Sequence, residues 1–243
     1  MMTPFVDRIA VVTGASSGIG KAIALGLAAQ GATLCLIGRR LQTLQIVAES
    51  AQATASRVEC YRADLTQDED IRELTAGLKR DFGTLDLLIH SAGVYSLGRI
   101  EAARVEDFDR QYRTNVRAPY LVTQALLPML RFRQGQIVFI NSSIGKNAPA
   151  NVGQYAATKH GLKAIADSLR DEVNADGVRV LSVFLGRTAT PMQAAIHELE
   201  GRTYRPELLL QPEDVAAVVI NALALPRTAE VTDISIRPLA KSY

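Results

Sequence analysis

RIAVVTGASSGIGKAIALGLAAQ, residues 8–30, reads as a strand, a glycine turn and a helix in immediate succession. Arg8 to Thr13 is a short apolar, β-branched run of the kind that forms a strand covered on both faces. In KAIALGLAAQ the apolar Ile23, Leu27 and Ala28 recur at helical spacing, and the pattern stops before Gly31. The same alternation extends along the chain. TLCLI (33–37), RVECYRADL (57–65), LDLLIHSAG (85–93), QIVFINSS (136–143), VRVLSVF (178–184) and VTDISI (231–236) read as further strands. Helices are expected from Asp68, over about 105–132, over about 155–175, and after Pro212. The segment from Asp68 opens with acids and closes with Lys79 and Arg80, which matches the helix dipole. Strands separated by helices predict an α/β fold: a doubly wound, seven-stranded parallel sheet with helices on both faces. Its ligand crevice should lie outside the C-terminal ends of the strands. No repeat, low-complexity tract or linker interrupts the pattern, so one domain over 1–243 is expected.

Composition narrows the function classes. The chain has 243 residues, 48% hydrophobic and 21% charged, with a formal net charge of +2. Charges of both signs are mixed along it, which gives no reason to expect nucleic acid or a membrane as partner. No run approaches the ~18 apolar residues of a membrane span. The start, MMTPFVDR, lacks a basic region followed by an apolar one, so a cytoplasmic protein is expected. Cys35 and Cys60 lie in apolar strand-like runs and are read as reduced, buried thiols. No metal site is expected.

The glycine turn, Thr13 to Gly20, has glycines where a nucleotide site needs them. Gly14 allows the sharp exit from the strand, Gly18 lets backbone approach a pyrophosphate, and Gly20 lets the helix pack close to the sheet. The helix N-terminus then offers unpaired N–H groups to phosphate oxygens. Any tight strand-to-helix turn can use glycine, but position after the first strand favours a nucleotide. The spacing TGxxxGxG also differs from the GxxxxGK[ST] of phosphate-loop ATPases. After the second strand the chain reads Gly38-Arg39-Arg40, with no acid before Glu49. An NAD site places an acid there to bind the ribose 2′-hydroxyl, whereas a guanidinium can hold the 2′-phosphate of NADP. NADP(H) is therefore expected over NAD(H), the alternative being that the two arginines form a solvated turn.

Tyr155 and Lys159 are four apart on an expected helix, so both leave the same face. Alone, YxxxK is common. Here it follows Ser142, at the C-terminal end of the fifth strand, the edge where an open parallel sheet binds its ligand. Carbonyl reduction by hydride leaves an alkoxide that needs a proton, and alcohol oxidation needs that proton removed. A phenol of pKa near 10 is a poor base at neutral pH, and lowering it by ~3 units takes about 4 kcal/mol. A cation ~4 Å away in a partly screened site supplies about that much.

These motifs, in this order, resemble the short-chain dehydrogenase/reductase family, the compact branch with TGxxxGxG and YxxxK, and the resemblance covers nearly the whole chain. It implies a Rossmann-type sheet and an enzyme acting on CH-OH groups of a small carbonyl or alcohol substrate. It assigns Tyr155 as acid/base, Lys159 as pKa modulator and ribose ligand, Ser142 as donor to the substrate oxygen, and Asn115, in RTNVRAPYLVT, as holder of a water in the proton relay. Cofactor contacts are implied at Gly14, Ser16, Ser17, Gly18, Ile19 and Gly20 of the turn, at Arg39 and Arg40, and at Asp64 and Leu65 beside the adenine. Ser91, Ala92 and Gly93, Tyr155 and Lys159, and Gly186 and Thr188 complete that set. Asp64 reads equally as a turn residue, and Asn115 as a polar residue kinking its helix. A homotetramer or homodimer built on the helices at 118–130 and 161–173 is also implied.

The chain departs from the family at two places. His90-Ser91-Ala92-Gly93 stands where the family has NNAG, and His90 is read as a satisfied structural histidine rather than a catalytic one. Leu185-Gly186-Arg187-Thr188 replaces a Pro-Gly turn, which bears on the loop's rigidity more than on its role. His160 and His197 are given no role. Val94, Tyr95 and Ser96, the stretch 144–151 and a lid over about 188–210 are expected to line the substrate pocket. Two other readings remain. A sugar-nucleotide epimerase also uses YxxxK but needs a substrate domain, for which about sixty residues after the sixth strand are too few. A dinucleotide-sensing binding protein would need no complete Ser-Tyr-Lys set.

Overall fold

Strand β1 (Ile9–Thr13) lies at the centre of the sheet in the computed structural model, which describes residues 4–240. The remaining strands are β2 (Thr33–Gly38), β3 (Arg57–Arg62), β4 (Leu87–His90), β5 (Gln136–Ser142), β6 (Arg179–Leu185) and β7 (Asp233–Ile236). Their spatial order is β3-β2-β1-β4-β5-β6-β7, and every neighbouring pair is parallel. The chain winds outward from β1 to β3 and then returns to start β4 on the other side. The order therefore reverses between β1 and β4, the place where such sheets open a crevice. The register sets Thr13 level with both Ile37 and His90, so the turns that follow β1, β2 and β4 leave from one line.

Helices α1 (Gly18–Ala28), α2 (Leu41–Ala51) and α8 (Pro212–Leu223) cover one face, and α3 (Asp68–Phe82), α5 (Ala118–Arg133) and α6 (Gly153–Val173) cover the other. Alternate residues of the inner strands feed the two layers: Ala10 and Val12 join the first core, Val11 the second. This double burial is why the strands read as continuous apolar runs. Cys35 and Cys60 are free thiols on adjacent strands facing opposite layers, Cys35 fully buried and Cys60 half-buried.

The deviations from the sequence reading have local causes. Helix α2 had no signal at its ends: Arg40 caps it without a side-chain hydrogen bond, no acid marks its first turn and no base its last. Strand β3 stops at Arg62, before Leu65, because the Asp64 carboxylate turns back to accept from the Thr66 N–H at 3.0 Å and the Thr66 hydroxyl at 2.8 Å. Strand β4 ends at His90, where the N–H groups of Ser91 and Ala92 donate to Thr13 Oγ1 instead of continuing the ladder. The long helix over 105–132 is α4 (Val105–Tyr112) and α5 joined by a π-helical turn, Arg113–Arg117, centred on Asn115.

Candidate active site

The glycine turn joins β1 to α1 at the crevice. Gly14 has φ +67°, and a Cβ there would stand 2.8 Å from the backbone of Ala92, so a side chain would push the turns after β1 and β4 apart. A Cβ on Gly20 would meet the Gly14 carbonyl oxygen at 2.4 Å. Helix α1 begins behind Ser17, whose side chain makes no capping bond, and its first turn holds no acid. The N–H groups and positive dipole end of the helix are thus left to whatever enters the cleft. That cleft has a volume of about 250 Å³. Its wall includes Gly14, Ser16, Ser17, Gly18, Ile19 and Gly20, then Arg39, then Asp64 and Leu65, then Ser91, Ala92 and Gly93. Among the described residues Asp64 is its one carboxylate, and that group already accepts from Thr66. Arg40 is the exception in the expected set: it is exposed, its carbonyl accepts from the Thr43 hydroxyl at 2.8 Å, and it is not part of the wall. The surviving combination fits a dinucleotide, with donors for a pyrophosphate at one end and a guanidinium beyond the second strand at the other.

A larger cleft of about 750 Å³ continues from the first, sharing Ile19, Ser91, Ala92 and Gly93 with it. Ser142, Tyr155, Lys159, Gly186 and Thr188 line it together. Ser142 is the last residue of β5, and its hydroxyl accepts from the Ile144 N–H at 3.2 Å; Asn141 accepts from the Ser142 N–H at 2.8 Å and donates to the Lys159 carbonyl at 3.1 Å. Asn141 therefore locks strand end and helix together, a role that its sequence context did not reveal.

Burial dominates the electrostatics here. It pushes the Tyr155 phenol up to about 12, a shift opposed by a hydrogen bond with Ser142. It also pulls the Lys159 ammonium down to about 8. Lys159 Nζ donates to the Ile140 carbonyl at 3.1 Å and lies 5.8 Å from the Tyr155 ring centroid. Here the ammonium is directed at a carbonyl, and burial is the largest influence on the phenol. Asn115 is buried; its Oδ1 accepts from the Val94 N–H at 2.9 Å, and its Nδ2 donates to the Val94 carbonyl at 2.9 Å and to Thr158 Oγ1 at 3.1 Å. It ties the loop after β4 to α6, one turn from Tyr155.

His90 stacks on Phe139 at 4.9 Å and shares a 2.8 Å hydrogen bond with Thr123, while full burial drives it down to about 3, so it stays neutral in the core. His160 and His197 bond within their own helices. The loop after β6 lacks a proline yet is anchored by backbone: Gly186 N–H donates to Ile236 at 2.8 Å, and Ala189 N–H to Leu210 at 2.7 Å. The expected lid contains a helix, α7 (Pro191–Leu199), started by Thr190, whose side chain accepts from the Gln193 N–H at 3.2 Å. Thr190-Pro191 is a legible helix start that the sequence reading passed over, and Thr190 and Met192 line both clefts. Of the pocket residues expected after Gly93, Val94 and Tyr95 line the larger cleft and Ser96 does not. Among the described residues no helix is long and apolar enough to cross a membrane, and no cluster of potential metal ligands occurs.

Comparison with known proteins agrees with this geometry. The family model described as short chain dehydrogenase matches residues 8–201. An uncharacterized oxidoreductase of Staphylococcus aureus (strain USA300) is 34% identical over 239 residues, spanning 98% of this chain and 100% of that protein. Among solved structures, a metagenomic short-chain oxidoreductase in complex with NADP is 29% identical with a TM-score of 0.85, covering 98% of this chain and 100% of its own. L-sorbose reductase from Gluconobacter frateurii, complexed with NADPH and L-sorbose, is 26% identical with a TM-score of 0.88, covering 97% of each chain.

Proposed function

Because the chain belongs to the short-chain dehydrogenase/reductase family and is an oxidoreductase of CH-OH groups, we propose that it uses NADP(H) and reduces a carbonyl, or oxidises the corresponding alcohol, through Tyr155, Lys159 and Ser142. The observation that carries this reading is the convergence of those three side chains on one cleft that opens into the cleft beside Arg39. When bound, the nicotinamide supplies or accepts the hydride. Ser142 donates to the substrate oxygen, and Tyr155 passes its phenolic proton to that oxygen or takes it back. Lys159 holds the cofactor ribose and, once drawn off the Ile140 carbonyl, stabilises the phenolate. Asn115 is the proposed holder of a water in the proton relay, with its side chain fixing the loop after β4 against α6. Arg39 holds the 2′-phosphate, supported by the absence of an acid between the end of β2 and Glu49 and by the NADP complexes of the structural neighbours. Residues 188–210 act as the lid over the larger cleft. An apolar groove of about 450 Å³ between α5 and α6, with Tyr120, Leu127, Ile165 and Leu169 in its wall, supports a homo-oligomer through these helices.

Titration of the purified protein with NADPH and NADH, followed by a carbonyl panel monitored at the nicotinamide absorbance, tests the reading. Tight NADPH binding with turnover of some panel member is the expected result. Preference for NADH would reduce Arg39 to a solvated turn residue. Tight binding without turnover across the panel would favour a dinucleotide-sensing protein.

A further inference from the structure

The larger cleft has a charged wall that the proton and hydride chemistry leaves unused. Among the described residues, its charged members are Lys159, Arg187, Glu200 and Arg202, so cations outnumber carboxylates there. Lys159 belongs to the Tyr155 centre, and the other three form a cluster of their own. Arg187 Nη2 donates to both oxygens of Glu200, at 3.0 and 2.8 Å, and Arg202 Nη1 stands 3.6 Å from Glu200 Oε2. One carboxylate is thus shared between two guanidinium groups, which leaves an excess positive charge. Arg187 Nη1 is shielded from solvent and has no hydrogen-bond partner among the described residues. Leaving such a donor unsatisfied is unfavourable. Partly exposed ion pairs add little to stability, so stability alone gives little reason to keep this cluster.

Tyr95 relates this cluster to the reacting centre. That ring packs edge-on against Tyr155, with centroids 4.9 Å apart. Its hydroxyl senses the cluster as well: burial raises its pKa, Glu200 raises it further, and Arg187 opposes both. The remaining wall mixes apolar residues, Leu97, Ile144, Met192 and Ile196 among them, with polar ones such as Ser143, Asn151 and Gln193.

We infer that the substrate is a ketone or secondary alcohol carrying a carboxylate, which Arg187 and Arg202 bind across Tyr95 from the reacting carbon. The inference rests on the oxidoreductase reading above and names its substrate class. A planar guanidinium meets a carboxylate through two parallel hydrogen bonds, and the single excess charge of the cluster matches a monoanion. The apolar residues around it accommodate the chain between carboxylate and carbonyl. Glu200 caps the C-terminal end of α7, so an anion that competes with it for Arg187 acts on the residue that ends that helix.

The test uses matched probes, 4-oxopentanoate and 5-oxohexanoate against their methyl esters, with NADPH as reductant. At least one acid is expected to exceed its ester in kcat/KM by about tenfold or more, the worth of one charge-assisted contact. The double variant Arg187→Ala/Glu200→Ala removes the ion pair without orphaning a carboxylate. In it the acid-to-ester ratio is expected to collapse towards one, while Arg187→Lys retains part of the ratio. Esters turned over as well as acids by the unmodified protein, or a ratio unchanged in the double variant, would overturn the inference. Should none of the four probes be reduced, calorimetric titration of the acids into the complex with NADP+ decides. Saturable binding that the double variant loses would keep the anion site and count against the reductase reading, and no binding of either acid would reject the site itself.

Discussion

The two ends of the sheet treat buried charge in opposite ways. At the N-terminal edge, Asp86 is buried and fully engaged: Arg8 Nη1 at 2.7 Å, Arg133 Nε at 3.1 Å and the Ile9 N–H at 3.0 Å all donate to it. At the C-terminal edge, Lys159 is buried and donates to the Ile140 carbonyl, Tyr155 is pushed to about 12, and Arg187 keeps a nitrogen without a partner among the described residues. A charge that is satisfied within the chain holds the chain together. A charge left short of partners weakens the fold and is available for chemistry or for a ligand. The edge nearest the cofactor cleft is built in the second way.

Substitutions at the two edges should therefore differ in sign as well as in size. The largest effect is expected from Tyr155→Phe, which removes the acid/base hydroxyl and should lower kcat by about 10³-fold, within the range of general acid–base catalysis. NADPH affinity, measured by fluorescence titration, should change little; retained turnover would reject the assignment. Lys159→Met should abolish activity yet raise stability, by up to about 3 kcal/mol at pH 7 from the relief of its desolvation. The sign follows from the shift. Folded Lys159 titrates near 8 rather than 10.5, so the unfolded chain binds the extra proton between those values. The cost of burying the ammonium is complete below pH 8, and stability should rise with pH across that window in the parent protein. Urea unfolding at several pH values should show this slope flattened in the variant. At the opposite edge, Asp86→Ala should destabilise by about 1–3 kcal/mol, since the Ile9 N–H loses its acceptor and two half-exposed arginines lose theirs. The NADPH affinity of the folded fraction should be unchanged. The smallest effect is expected at Arg39→Ala, with NADPH weakened by about tenfold and NADH unaffected, because an exposed guanidinium is screened by water. Arg40→Ala, outside the cleft wall, should move neither.

Legibility followed the range of the physics. The strands could be read because burial on both sides forces continuous apolar runs, and the turn at 13–20 because close backbone approach admits glycine alone. Helix α3 announced itself with Asp68, Glu69 and Asp70 at one end and Lys79 and Arg80 at the other. Helix α2 has no such charges, and only the packing of Leu44, Val47 and Ala51 on the sheet makes it a helix. Ser142, Tyr155 and Lys159 were legible as a set because strand end and helix spacing bring them to one edge. Arg39 lies in the cleft wall and Arg40 does not, because neighbours along a turn leave it in different directions. The Arg187–Glu200–Arg202 cluster was visible only as scattered charges in a segment read without its helix.

The sequence by itself determined the α/β alternation, the strand-to-helix glycine turn and the residue types available at the reactive edge, since each depends on interactions within a few residues. Tertiary structure alone decided which of Arg39 and Arg40 faces the cleft, where Lys159 directs its ammonium, and that Arg187 shares Glu200 with Arg202. Those outcomes depend on what packs against each side chain from distant parts of the chain, and on the water that packing removes.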